Sequence, residues 1–328
     1  MTTDPYARYL AAKKTVDDRA INQHVLRELR RLMPAAEPRI LEVGAGLGTM
    51  VARLLEWRVI SAGEYTVLDV DRQLLDDCRD WLSGWAVERG VRVDQLRDGV
   101  RLGDVRVRLV EAEIGDYAAG RHGGGDSHGG GNHGGGNHDG GNHGGGNHGG
   151  GSDGALADVL IANAVLDLVD VPTALPGLLR LLAPAGLYWF TINYDGETIF
   201  QPDHPLDDEI MRAYHRDMDE RVRYGRPAGE SRTGRHLFGH LRTIGAPPLA
   251  SGPSDWFVHA GPDGTYPDDE AYFVDQILAT IQNALTDRVD ATVLAEWADA
   301  RRSQLTTGEL VYIAHQLDVA GRTSQPPS

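Results

Sequence analysis

Ile40-Leu41-Glu42-Val43-Gly44-Ala45-Gly46-Leu47-Gly48-Thr49 decides the fold of this chain. An apolar run carrying one acid stops at three glycines spaced two apart, and a helical pattern (Val51, Leu54, Leu55) begins at once. That order predicts a buried parallel strand, a tight glycine turn and a helix start. Glycines let the backbone approach a ligand where a Cβ would collide. The helix N-terminus beside them presents free N–H groups. Turns of this kind, at the carboxyl end of a strand, are where open α/β sheets bind nucleotide-like ligands.

The glycine spacing narrows the ligand. A dinucleotide fingerprint, G-x-G-x-x-G, needs its third glycine at position 49, which is Thr49. The pattern present is E-x-G-x-G-x-G, with Glu42 two residues ahead of Gly44. A second short apolar strand, Tyr65 to Asp71, follows and ends in acids. Asp69 lies about 20 residues past the turn, where a carboxylate can accept from both ribose hydroxyls of an adenosine ligand. Asp71 reads as the N-cap of the next helix. A third strand, Val105 to Ala112, runs into Glu113-Ile114, and a fourth, Asp158 to Asn163, runs into Ala164-Val165-Leu166-Asp167. A helix, Thr173 to Leu182, then leads through Pro184-Ala185-Gly186 into a fifth strand, Leu187 to Asn193.

These landmarks, in this order over about residues 38 to 195, resemble the class I S-adenosylmethionine (SAM)-dependent methyltransferases. The glycine turn matches their motif I, and the Asp158–Asn163 strand is similar to their motif IV. The resemblance implies a Rossmann-like fold: a seven-stranded, mostly parallel α/β sheet with helices on both faces. It implies SAM as cofactor, held by Glu42, Gly44, Ala45, Gly46 and Gly48 at the turn and by Asp69 at the ribose. It also implies Glu113 and Ile114 flanking the adenine, with Glu in place of the commoner Asp. Asn163 would be a polar contact on the methyl-donor side.

Composition bounds the alternatives. No run of about 20 apolar residues exists, so no membrane span is expected. The start Met1-Thr2-Thr3-Asp4-Pro5 lacks a charged and apolar leader, and Cys78 is the only cysteine, so a cytoplasmic protein is expected. The formal charge is −16, from 48 acids against 32 bases, and a surface of that sign repels phosphate backbones. A small-molecule partner is therefore favoured over nucleic acid. The oligomeric state is not readable.

Three regions follow from the pattern. Residues 1–37 read as an N-terminal helical cap; Tyr9, Lys13, Lys14 and Arg19 read first as its solvated face, and as a second reading could reach cofactor or substrate. Residues 38–195 form the cofactor-binding core. Residues 196–328 supply a helical substrate cap and the last two strands (249–259 and 309–317), with a helical insertion between them. Within the core, residues 120–154 hold 19 of the 41 glycines and four Asn-His units (His133, His138, His143, His148), preceded by His122 and His128. Nothing there can bury apolar area, so a disordered insert is expected, able to bind divalent metal only loosely.

Methyl transfer needs positioning more than a dedicated catalytic group. The loop expected after the fifth strand offers Tyr194 to orient an acceptor and Asp195 to take its proton. His236 and His240, four apart on one helix, read as structural or surface histidines, and Arg232 and Arg235 as surface arginines. No metal site is expected. Two further readings stay open: a nicotinamide-dependent oxidoreductase on the same turn, and a non-catalytic SAM-binding or metal-handling protein that works through the His/Gly tract. Deleting residues 122–151 and re-measuring ligand binding separates the last from the rest.

Overall fold

The computed structural model describes residues 5–34, 37–118, 157–223 and 225–323. The His/Gly insert with its six histidines, and the tail beyond Thr323, lie outside the described residues.

The chain opens with α1 (Pro5–Ala20) and α2 (Gln23–Leu32), the second started by the Asn22 side chain, which accepts from the N–H groups of His24 and Val25. Then come β1 (Arg39–Val43), α3 (Thr49–Glu56), β2 (Ala62–Asp69) and α4 (Arg72–Glu88). Asp71 caps α4 by accepting from the Leu74 N–H at 3.1 Å, the role its position suggested. A hairpin of β3 (Val93–Leu96) and β4 (Gly99–Leu102) leads into β5 (Asp104–Glu111) and the short α5 (Ile114–Ala118). After the insert come β6 (Ala157–Asn163), a 3-10 turn (Leu166–Leu168), α6 (Val171–Leu179) and the long β7 (Leu182–Gln201). The last third comprises α7 (Asp207–Glu220), the small ladder of β8 (Val222–Arg223) and β9 (Arg226–Pro227), and α8 (Thr233–Thr243). It continues with β10 (Pro248–Pro253), β11 (Trp256–Val258), α9 (Glu270–Leu285), α10 (Ala291–Thr307) and β12 (Val311–Arg322).

One sheet runs in the order β10-β12-β7-β6-β1-β2-β5-β4-β3, with β11 also paired to β12. The strands from β5 through β2, β1 and β6 to β7 are parallel, and β12 joins antiparallel to β7. The expected mostly parallel α/β sheet is therefore present, but with ten strands instead of seven. Two differences account for the extra strands. The β3–β4 hairpin extends one edge across the two-residue loop Arg97-Asp98, and an Asp-Gly pair between apolar runs is a hairpin signal. The single strand expected over 249–259 breaks at Ser254-Asp255, and both halves pair with β12. The helical insertion before the last strand is α9 and α10.

Side-chain alternation sorts the core onto the two faces of the sheet. Ile40, Tyr65, Val67, Val159, Ile161, Leu187 and Trp189 pack against α2, α3, α4 and α9. Leu41, Val43, Leu68, Leu160, Ala162, Tyr188 and Phe190 pack against α6 and α8. At Ile192, with φ +59°, β7 carries an extra residue relative to β12. Such a bulge re-aims the side chains that follow it. Before it, odd-numbered residues face α9; after it, Ile192 and Tyr194 do. The peptide N–H freed by the bulge donates to the buried Asp318 carboxylate at 2.8 Å, and the other Asp318 oxygen accepts from the Asn22 N–H. Burial pushes the Asp318 carboxyl up to about 6.

Candidate functional site

Gly44, Gly46 and Gly48 all adopt left-handed backbone, at φ +61°, +55° and +67°. Side chains rarely tolerate that region, which explains glycine at every second position. Neighbours fill the space left by the missing side chains. Val165 lies against Gly44, Cys78 and Leu82 against Gly48, and Leu10 of α1 comes to 3.0 Å from where a Cβ on Gly46 would stand. Cys78 is thus a packing residue, fully buried, and burial pushes its thiol well up. Ala45 is buried and donates its N–H to the Leu68 carbonyl, tying the turn to β2.

Asp69 closes the turn. One of its oxygens accepts from the Gly46 N–H at 2.9 Å and the other from the Asp71 N–H at 3.1 Å. Each carboxylate oxygen retains a further acceptor direction. Helix α3 begins at once, and its N-cap, Gly48, has no side chain to occupy the N–H groups of the first turn.

Glu42 sits beneath the turn, 2% exposed, and accepts from the Tyr65 hydroxyl at 2.8 Å. Burial pushes its carboxyl up to about 8. Placed so, Glu42 supports the turn from below. Glu113 is exposed and accepts from the N–H groups of Gly115 and Asp116, so it caps α5, while Ile114 packs beneath with Val110 and Ala112. Asn163 ends β6 and accepts from the Thr191 hydroxyl at 2.7 Å. Just past it, Ala164 turns left-handed at φ +54°, which carries Val165 over Gly44 and starts the turn that holds Asp167.

Tyr194 and Asp195 stand where sequence reading did not place them. They lie inside β7, not on a loop after it, and both are buried. Being adjacent in a strand, they face opposite sides of the sheet. Asp195 faces α8, where it accepts from the backbone N–H and Nε of Arg235, each at 2.8 Å. Arg235 is therefore not a free surface arginine. Tyr194 faces α7, with its hydroxyl 2.8 Å from Thr198 Oγ1 and 2.7 Å from His215 Nε2. One acceptor cannot meet both side chains, and the side chain that meets the Tyr194 hydroxyl is His215, not Asp195. Burial lowers the His215 pKa and so keeps the imidazole neutral, able to take a hydrogen bond from the phenol. His215 carries no informative spacing in the sequence, and the bulge that brings Tyr194 to it leaves no local signature.

Tyr194 lines a cavity of about 60 Å³ together with Thr198, Tyr214, Met218, Trp256, Ile277, Ile281 and Tyr312. Over its α1 side, Tyr9 stacks on Phe273 at 5.6 Å, and Phe273 in turn meets Trp256 edge-on at 5.2 Å. Lys13 and Asp17 are both buried and paired at 3.3 Å; Asp17 also binds Arg53 and the Trp256 Nε1. Lys14 pairs with Asp18 and Glu56, and Arg19 with Glu270, so these two hold α1 in place.

On the opposite face, His236 and His240 line a separate cleft with Asp170, Asp219, Glu230 and Arg232, where His236 Nδ1 bonds Glu230. Among the described residues no three His, Cys, Asp or Glu side chains converge as metal ligands. No described helix is long and apolar enough to cross a membrane.

No protein-family model and no curated protein matches the chain. Solved structures do. A putative type II methyltransferase from Anaeromyxobacter dehalogenans is 17% identical, with 94% of this chain and 99% of that one covered at a TM-score of 0.47. A SAM-dependent methyltransferase from Thiobacillus denitrificans, in complex with S-adenosylhomocysteine, is 15% identical, with 93% of each chain covered at 0.41. A putative sarcosine dimethylglycine methyltransferase from Galdieria sulphuraria is 12% identical, with 92% and 84% covered at 0.40. At such scores the likeness carries no argument about activity.

Proposed function

We propose that this protein is a SAM-dependent methyltransferase acting on a small molecule. The observation that carries the reading is the pairing of Asp69 with Gly46 at the carboxyl edge of the sheet: a left-handed glycine turn locked to a carboxylate that still has acceptor capacity. The residues fit the cofactor. The left-handed glycine turn suits the close approach of the ligand's methionine part, the α3 N-terminus suits its carboxylate, and Asp69 suits its ribose hydroxyls. Glu113 and Ile114, at the end of β5, and Asn163, at the end of β6, lie at the same edge, on the adenine and methyl sides. Leu10 covers Gly46, so α1 must yield that contact when a ligand settles on the turn.

SAM supplies an electrophilic methyl group, so the protein's part is to orient the acceptor and exclude water. Tyr194 faces the cavity and orients the acceptor there. His215 holds the Tyr194 hydroxyl and is the nearest neutral base. Asp195 positions β7 against α8 through Arg235.

Calorimetric titration with S-adenosylhomocysteine, and in parallel with NAD⁺, tests the reading. Micromolar binding of S-adenosylhomocysteine with none of NAD⁺ is expected. Binding of NAD⁺ alone, or of neither, overturns it.

A further inference from the structure

The cavity beside Tyr194 has an unusual lining. Four of its walls are aromatic (Tyr194, Tyr214, Trp256 and Tyr312), and the rest is aliphatic or thioether apart from Thr198. Tyr9 and Phe273 back it on the α1 and α9 side. Aromatic faces carry negative quadrupole potential and hold alkylated ammonium groups, most strongly once water is excluded.

A second observation adds the countercharge. Asp167, on the turn after β6, has a buried Oδ1 with no hydrogen-bond partner among the described residues. A buried carboxylate oxygen left unpaired costs free energy unless a donor or cation meets it. The Asp167 and Met218 carbonyls both border Gly229, so this turn meets the cavity wall there; burial raises the Asp167 carboxyl, and a cation arriving in the cavity would favour its charged form. Two cations already stand over cavity walls, Lys13 Nζ 5.4 Å from the Trp256 ring centre and the Arg221 guanidinium 6.0 Å from that of Tyr214, and each is held by its own carboxylate. Lys13 pairs with Asp17, and Arg221 pairs with Asp217 at 2.9 Å.

We propose that this cavity, with Asp167 at its side, is the acceptor subsite and takes an alkylated amine, which the reaction converts to a more methylated ammonium. The inference rests on the methyl-transfer reading. In the step, the amine nitrogen lone pair forms the new N–C bond. The bond from the methyl carbon to the donor sulfur breaks with its electron pair going to sulfur. A tertiary amine ends as a quaternary ammonium. Where the amine arrives protonated, Tyr194 accepts that proton and passes its own to His215.

The test uses the full chain and two probes of equal shape, choline and its uncharged carbon isostere 3,3-dimethylbutan-1-ol. Each is titrated with and without saturating S-adenosylhomocysteine. Choline is expected to bind at least about tenfold tighter than the isostere. Asp167→Asn should remove most of that advantage and leave isostere binding unchanged. Tyr214→Leu should weaken choline by about fivefold or more, with thermal melts confirming that each variant folds. Equal binding of the two probes, tighter binding of the isostere, or binding of neither overturns the proposal. The wild-type comparison decides even if a variant fails to fold. The titration of S-adenosylhomocysteine reports separately: a protein that binds choline but not S-adenosylhomocysteine would sink the cofactor reading and leave the ammonium site standing.

Discussion

The glycine turn and the aromatic cavity are built on opposite plans. The turn is local. Residues 42–48 form it, Asp69 at the end of the adjacent strand locks it, and each glycine is demanded by its own backbone angle. The cavity is assembled from β7, α7, β11, α9 and β12, and depends on a bulge at Ile192 to turn Tyr194 toward it. A cofactor common to many reactions can be held by one short motif. An acceptor particular to one reaction is met by side chains from distant parts of the chain. The two regions share only a border, formed by α1 and the Asn163–Asp167 segment.

If the regions are separable in this way, substitutions should divide cleanly. The largest effect is expected on the cavity side. Tyr194→Phe should lower the rate of transfer from methyl-labelled SAM to dimethylethanolamine by about a hundredfold, with KM changed little. A loss confined to KM would make Tyr194 a binding residue and not an orienting one.

Gly44→Ala comes next. Its Cβ would stand at positive φ against Val165, and a cost of about 2–3 kcal/mol in chemical denaturation is expected. Combining it with Val165→Ala should recover part of that cost. No recovery would show that backbone strain alone, not the border contact, makes Gly44 necessary.

The turn also has a pH signature. Burial raises the Glu42 carboxyl from its ordinary 4.5 to about 8 in the folded protein. A raised folded value means stability fully present below the unfolded value and lost as pH rises through the folded one. Asp318, raised to about 6, acts with the same sign but has finished titrating by about pH 7. Between about pH 7 and 9 the wild type should therefore lose about 1–2 kcal/mol that Glu42→Gln does not lose. The variant still accepts from Tyr65. A flat wild-type profile would mean that Glu42 is ionised throughout.

The same division explains what the sequence revealed. The parallel strands, the turn, Asp69 and the Asp71 cap were legible because each depends on residues adjacent in the chain: period-two apolar runs, glycines at left-handed positions, an acid at a helix start. The β3–β4 hairpin also has a local sign, the Asp98-Gly99 pair between two short apolar runs. His215, Asp167 and the aromatic walls had none. Their partnership is fixed by packing between elements far apart in the chain, and a single extra residue in β7 decides which side Tyr194 faces. Asp195 shows the same limit: its neighbour in sequence faces the cavity while it faces Arg235.

Titration of S-adenosylhomocysteine into Asp69→Ala and Tyr194→Phe, side by side, separates the turn from the cavity. Binding at least about tenfold weaker is expected for the first, and within about twofold of wild type for the second. The reverse order, or equal losses in both, would contradict that separation.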